Sequence, residues 1–348
     1  MRKPGSILLA LVLVASAAAI YFLRVGLDCR RYSGEVREEL TYYPSGRLLK
    51  VADLGYSALA ADILWLRGIQ YYGEHRKTDR RYPLAEHIFS TITNLDPDFV
   101  GAYRFGALVL SEDAGSVAGA VDLLRRGLRS NPGVWQIPFD LGFIYFVGLN
   151  DYSKAAHYFR LSSRLPEAPE VARRFSAFAY RKAGKPEVAK ALWQEMIESS
   201  ANAVLREMAV NSIKKIDRET TIAALDRAVG RFRSERGRLP GDLADLVAGG
   251  LVDAIPPDPL GGSYFLDHET ETVSSTSKAR DEADLATRRL QRLLTRYQES
   301  HGVFPQSLAD LKADGLIAEI PRVAGTKITY DPGVGRVAYH LVGEDRGQ

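Results

Sequence analysis

Between Tyr72 and Met196 the chain repeats one spacing of small and large residues with a period near 35, and this recurrence restricts the fold more than any other feature. Pro97 in "NLDPDF" and Pro132 in "RSNP" lie 35 residues apart. The first stretch carries Gly73, then Ala85, Phe89 and Ile92. The second carries Tyr103, Gly106, Ala107 and Leu110, then Ala120, Leu124 and Gly127. The third has Leu141, Gly142 and Tyr145, then Ala155, Phe159 and Ser162. The fourth has Ala177 and Tyr180, then Ala189, Trp193 and Met196. Each reads as two amphipathic helices that cross at small residues and enclose large ones. A further helical pattern precedes them, with Leu59, Ile63, Leu66 and Ile69 at intervals of three and four.

These residues resemble the tetratricopeptide repeat, a helix–turn–helix unit of about 34 residues. The second stretch holds one residue more, which the connector "SEDAGSVAG" absorbs. The third and fourth lack the closing proline at its ideal place, with Pro166 and Pro169 near it. The resemblance implies an α-solenoid over 51–220, closed by a helix near 201–215. It also implies a groove lined by first helices, in which a protein partner binds. Arg104, Gln136 and Arg173 are the groove residues expected from it.

The carboxy-terminal third duplicates itself. Gly237, Pro240, Leu243, Leu246, Gly250, Leu251, Ile255 and Pro256 recur as Gly302, Pro305, Leu308, Leu311, Gly315, Leu316, Ile320 and Pro321, always 65 residues later. Each copy reads as a helix (222–236 and 283–300), a Gly-x-x-Pro turn, a short Leu-bearing helix and strand residues. The strand candidates are 263–266, 327–330 and 336–341. Residues 270–282 read as a polar connector open to protease. Each copy is near the size at which one core is marginal. The copies are therefore expected to pack on each other or on the last repeat helices.

The run Pro257-Asp258-Pro259-Leu260-Gly261-Gly262-Ser263-Tyr264 resembles the carboxy-terminal region of the type II secretion major pseudopilin. In the second copy Val323-Ala324-Gly325 replaces the Asp-Pro segment, and the family's amino-terminal processing motif is missing. The resemblance implies a reused α+β module and a calcium site that would draw on Asp258, Asp267 or Glu269.

At the amino terminus Arg2 and Lys3 precede an uncharged run, residues 5–23, of 19 residues. That length nearly spans a hydrocarbon core of about 30 Å. A single-pass anchor is the leading reading; a signal peptide cleaved after Ala15-Ser16-Ala17 and a buried helix are the others. Arg24, Arg30 and Arg31 after the run favour a cytoplasmic body, whereas the short basic start favours export, so topology stays open between them. An extracytoplasmic body is the working expectation. Cys29 is the one cysteine, and Asp28 before it departs from a lipidation signal.

Forty-six basic and 43 acidic residues leave a net charge of +3, too little for a nucleic-acid footprint. No phosphate loop, dinucleotide fingerprint, nucleophile elbow or paired-histidine zinc motif occurs, so neither a cofactor nor a catalytic role is expected. The expected fold is mainly α. It comprises an anchor (1–24), a linker (25–50), a tetratricopeptide-like array (51–220) and two small α+β modules (221–276 and 277–341). The expected function is a membrane-anchored interaction scaffold in a cell-envelope complex. A structural part of a secretion or pilus-like apparatus is the alternative.

Overall fold

A computed structural model describes residues 55–341. The apolar run 5–23 and the linker 25–50 lie outside them. Among the described residues no helix is long and apolar enough to cross a membrane. The chain divides into two compact units between Pro132 and Gly133.

The first unit holds α1 (Ser57–Lys77), α2 (Ala85–Leu95), α3 (Val100–Leu108) and α4 (Val117–Ser130). They form two hairpins. Ala61, Leu64 and Tyr71 of α1 are buried, as are Ala85, Ile88, Phe89 and Ile92 of α2. The close crossing falls at Gly68, where an added Cβ would sit 3.1 Å from the Ile88 side chain. Gly73, expected there, has open space around it. It stands five residues further along the helix, more than a full turn beyond the crossing. In the second hairpin a Cβ at Gly106 would lie 2.6 Å from Phe89 and 2.8 Å from Leu123. Ala120 is fully buried beside them.

The second unit begins with two more hairpins: α5 (Gln136–Phe143) with α6 (Tyr152–Ser163), then α7 (Glu170–Lys182) with α8 (Pro186–Ser199). A Cβ at Gly142 would fall 2.7 Å from the Phe159 ring. Ala155, Phe159, Ala177 and Ala189 are fully buried, and Trp193 is nearly so. Hairpins two and three end their first helix alike. Ala114 N–H donates to Val109 at 2.9 Å and Leu149 N–H to Ile144 at 3.1 Å, each a wide π turn. Ser116 then donates to Leu110, and Asp151 to Tyr145. The 35-residue period of the sequence therefore recurs bond for bond in the backbone.

The helix expected at 201–215 and the one at 222–236 are a single helix, α9 (Ala203–Arg236). Asn202 caps it by accepting from Val204 N–H at 3.0 Å, and Gly237 ends it at φ 67°. Its first half closes the last hairpin. Ala209 and Ile216 pack with Ala177, Ala189, Leu192, Trp193 and Met196. Lys190–Asp217 and Arg181–Glu219, both at 2.8 Å, flank that contact. The hydrogen bond it donates to Asp217 raises the Lys190 ammonium above the ordinary lysine range. The boundary expected at 220/221 thus falls inside a continuous helix, because nothing between Val204 and Arg236 breaks one except the tolerated Gly230.

The second half of α9 carries the first module: Ile222, Leu225, Ala228, Val229 and Phe232 form its core with Leu243, Leu246, Leu266 and Val273. The module adds α10 (Ala244–Ala248) and the antiparallel pair β1 (Tyr264–Asp267) and β2 (Thr272–Ser275). The second module repeats this order as α11 (Thr276–His301), α12 (Leu308–Ala313), β3 (Thr326–Asp331) and β4 (Arg336–Leu341). Its core of Leu290, Leu294, Leu311, Ile317 and Val337 sits at matching places. Gly237 and Gly302 both take the left-handed conformation, at φ 67° and 75°, that L side chains resist. Leu251 N–H donates to Leu246 and Leu316 N–H to Leu311, both at 2.9 Å. Asp226 Oδ1 accepts from Val273 N–H at 2.6 Å, and Gln291 Oε1 accepts from Val337 N–H at 3.2 Å. In both copies a polar residue of the long helix thereby satisfies a buried strand donor.

Residues 270–282 are not an open connector. They hold β2, whose last three residues are buried, and the first turns of α11, capped by Ser275. The modules are also joined by polar contacts. Arg218 of α9, 4% exposed, donates to Ser277 Oγ at 2.9 Å and to Asp281 Oδ2 at 3.1 Å. Ser277 in turn donates to the buried Asp258 carboxylate. A methyl group at Gly325 would overlap the Phe265 ring, so β1 and the loop before β3 are in contact.

Candidate protein-binding surface

The first helices of the hairpins bury one face against their partners and leave the opposite stripe open. In the first unit that stripe on α3 holds the exposed Arg104 and, one turn on, Leu108 at 55% exposure. In the second unit it runs on α5 and its π extension through the half-buried Gln136 and Phe139 to Phe143 and Val147, 43% and 55% exposed. On α7 it runs through Val171, Arg174, Phe175 and Phe178 to Arg181 and Lys182, at helical intervals of three and four.

The two stripes of the second unit are joined by rings. Phe143 and Phe175 lie 6.5 Å apart, Phe146 and Phe178 5.8 Å, and Phe139 and Phe175 5.6 Å. Phe139 and Phe175 also rest on the buried Phe159, at 5.3 and 5.1 Å. Packing below therefore holds the outer rings in place. The Arg181 guanidinium stacks 4.8 Å from the Phe178 ring while pairing with Glu219. This surface is an aromatic floor with a cationic edge. It suits a partner segment with apolar anchors.

Gln136 belongs to this stripe. Arg173 does not: its Nη1 donates to Ser199 Oγ on α8 at 3.3 Å. One residue of helix is a rotation of about 100°, and the position on the stripe is Arg174. Arg104 lies on the corresponding stripe of the other unit. The aromatic character of the surface comes from Phe143, Phe175 and Phe178. Their spacing relative to Gly142 and Ala177 is the signal by which sequence alone would find them.

A second recess, of about 490 Å³, lies in the first unit between α2 and α4, lined by Glu86, Ser90, Asp122, Arg125, Arg126 and Arg129. It is on the second helices. Arg126 is committed there to Ser90 Oγ and Asn94 Oδ1, at 2.8 and 3.2 Å.

Of the expected calcium carboxylates Asp258, Asp267 and Glu269, the first two hold their own turns. Asp258 accepts from Leu260 N–H and Ser277 and thereby shapes its own turn. Asp267 accepts from Glu269 N–H and the Thr270 hydroxyl, each at 3.0 Å. Among the described residues no group of three or more His, Cys, Asp or Glu is placed to hold a metal ion.

No family model matches the chain, and none of the curated proteins matches it. Among solved structures, a crystal structure of MamA is 14% identical and covers 38% of this chain and 74% of its own, with a TM-score of 0.31. A second crystal structure of the MamA protein is 15% identical and covers 54% and 98%, with a TM-score of 0.34. The helical-hairpin architecture rests on this chain's own packing, at Gly106 against Phe89 and Leu123 and at Gly142 against Phe159.

Proposed function

We propose that this chain is a non-catalytic protein-interaction scaffold. Its hairpins hold a partner segment against the stripe of first helices, and its two modules dock a second partner. The observation that carries the reading is the set of half-exposed rings: Phe143 packed on Phe175 and Phe178 on Phe146, with Phe175 and Phe146 resting on the buried Phe159. Adjacent half-exposed rings fixed on a packed floor make an apolar patch of the kind that interfaces use. In this reading residues 5–23 anchor the chain in a membrane, its body is extracytoplasmic, and the complex belongs to the cell envelope.

The test is a sedimentation profile of the full chain in detergent extracts of its own cells, beside the variant Phe143→Glu/Phe178→Glu. A fast-sedimenting complex that collapses to the free chain in the variant supports the reading. A complex that survives unchanged contradicts it.

A structural role in a secretion or pilus-like apparatus is the second reading, favoured by the Pro257–Gly262 turn. There Asp258 accepts from Leu260 N–H at 2.8 Å and from Gly261 N–H at 3.0 Å. Crosslinking to filament subunits in stoichiometric amounts distinguishes it from the first.

A further inference from the structure

The two modules differ at most surface positions and agree at a telling few. Along the matched stretches 222–236 and 287–301 only three pairs are identical: Leu225 with Leu290, Arg227 with Arg292, and Arg231 with Arg296. The leucines are core, 2% and 1% exposed. The arginines are all exposed. Around them the surface has changed freely: Ala223 and Ala224 face Arg288 and Arg289, Gly230 faces Thr295, and Ser234 faces Glu299. In both copies the pair lies one helical turn apart on the side opposite the core leucine. In both the first arginine turns back along its own helix, Arg227 Nε to the Ala223 carbonyl at 3.1 Å and Arg292 Nε to Arg288 at 3.4 Å. Arg231 also donates to the Leu251 carbonyl at 3.2 Å.

None of these four guanidinium groups is within ion-pair distance of a described carboxylate. Glu235 and Glu299, about one turn beyond Arg231 and Arg296, form no ion pair with them, and other acids of the modules are used elsewhere. Asp226 serves Val273 N–H, Glu271 pairs with Arg233, and Asp281 and Glu282 pair with Lys215, Arg218 and Lys278. In the second copy Arg288 and Arg289 widen the stripe, and four arginines then cover about 100° of the helix surface. Like charges at i and i+4 oppose helix formation, so this arrangement costs stability unless something binds it.

We infer that the matched arginine pairs are two equivalent docking positions for an acidic protein segment that presents carboxylates in a row. Guanidinium groups one turn apart are about 6 Å apart along the axis, the spacing of carboxylates at i and i+4 of a facing helix. The overall charge of +3 gives no general attraction to a polyanion such as nucleic acid, which leaves local pairing as the recognition. The inference rests on the reading of the modules as docking elements and is independent of the aromatic stripe.

The experiment uses the detergent-solubilised full chain and a fluorescent alanine-based helical peptide with glutamate at every fourth position, read by anisotropy. The expected result is saturable binding of two peptides per chain, weakened by salt. Arg292→Gln/Arg296→Gln should remove one of the two, and adding Arg227→Gln/Arg231→Gln should weaken what remains about tenfold or more. Phe143→Glu/Phe178→Glu should leave this binding unchanged. Its loss there would show that the peptide occupies the aromatic stripe and would overturn the inference. Equal binding of a glutamine version of the peptide would overturn it too. So would capture of phosphatidylglycerol vesicles or oligothymidylate through the same arginines without capture of the peptide. All four arginines are exposed, so unchanged thermal melting of the variants separates lost docking from lost folding.

Discussion

Gly142→Leu should unfold the third hairpin, at a cost at the upper end of the usual overpacking range of about 1–3 kcal/mol or beyond it. A Cβ alone would stand 2.7 Å from the Phe159 ring, and that ring is fully buried between Phe139 and Phe175. It has no free side to turn to, so the helices must part. Even Gly142→Ala should destabilise, although alanine is the better helix former by about 1 kcal/mol. Gly230 supplies the contrast. It is exposed on α9 with nothing within 4 Å of an added Cβ. Gly230→Ala should therefore stabilise by about 0.5–1 kcal/mol. Urea unfolding of the two alanine variants checks the pair. Stabilisation by both would place the helix crossing elsewhere.

Leu246→Ala and Leu311→Ala remove matched core side chains, both fully buried, and each should cost about 2–5 kcal/mol. Their reach should differ. Leu311 belongs to a core built only from the second module: α11, the turn after it, α12, the following loop, β3 and β4. Hydrogen exchange in Leu311→Ala should accelerate across residues 287–341 and leave the hairpins protected. Leu246 packs on the second half of α9, whose first half closes the last hairpin over Trp193 and Met196. Fraying of that one helix should carry exchange back into α8. An effect of Leu246→Ala confined to the first module would show that α9 uncouples at its middle.

The hairpins were legible because close crossings demand small residues, and Gly106, Ala120, Gly142, Ala155, Ala177 and Ala189 are visible as such. The duplication was legible because turn chemistry is strict: Gly237 and Gly302 sit where positive φ is required. The four-residue β2 was missed, since "TVSS" has a single apolar residue, and its burial comes from β1 and from Asp226 on α9. The continuity of α9 was missed because the chain changes what it packs against without a break in helical sequence. The phase of α7 decides between Arg173 and Arg174, and one residue of error moves a side chain from the open stripe to the α8 side. The expected crossing at Gly73 failed similarly, since α1 is long enough to offer Gly68 instead.

The central claim is that the open stripe of the first helices is where a partner lies. The most direct measurement places a photocrosslinking amino acid in the full chain, in its own cells, either at Val147 or Phe178 on that stripe or at Gln194 or Glu195 on exposed positions of α8. The scaffold reading predicts discrete protein adducts from Val147 and Phe178 and none of the same size from the α8 positions. Adducts of equal yield from both faces, or from α8 alone, would contradict it.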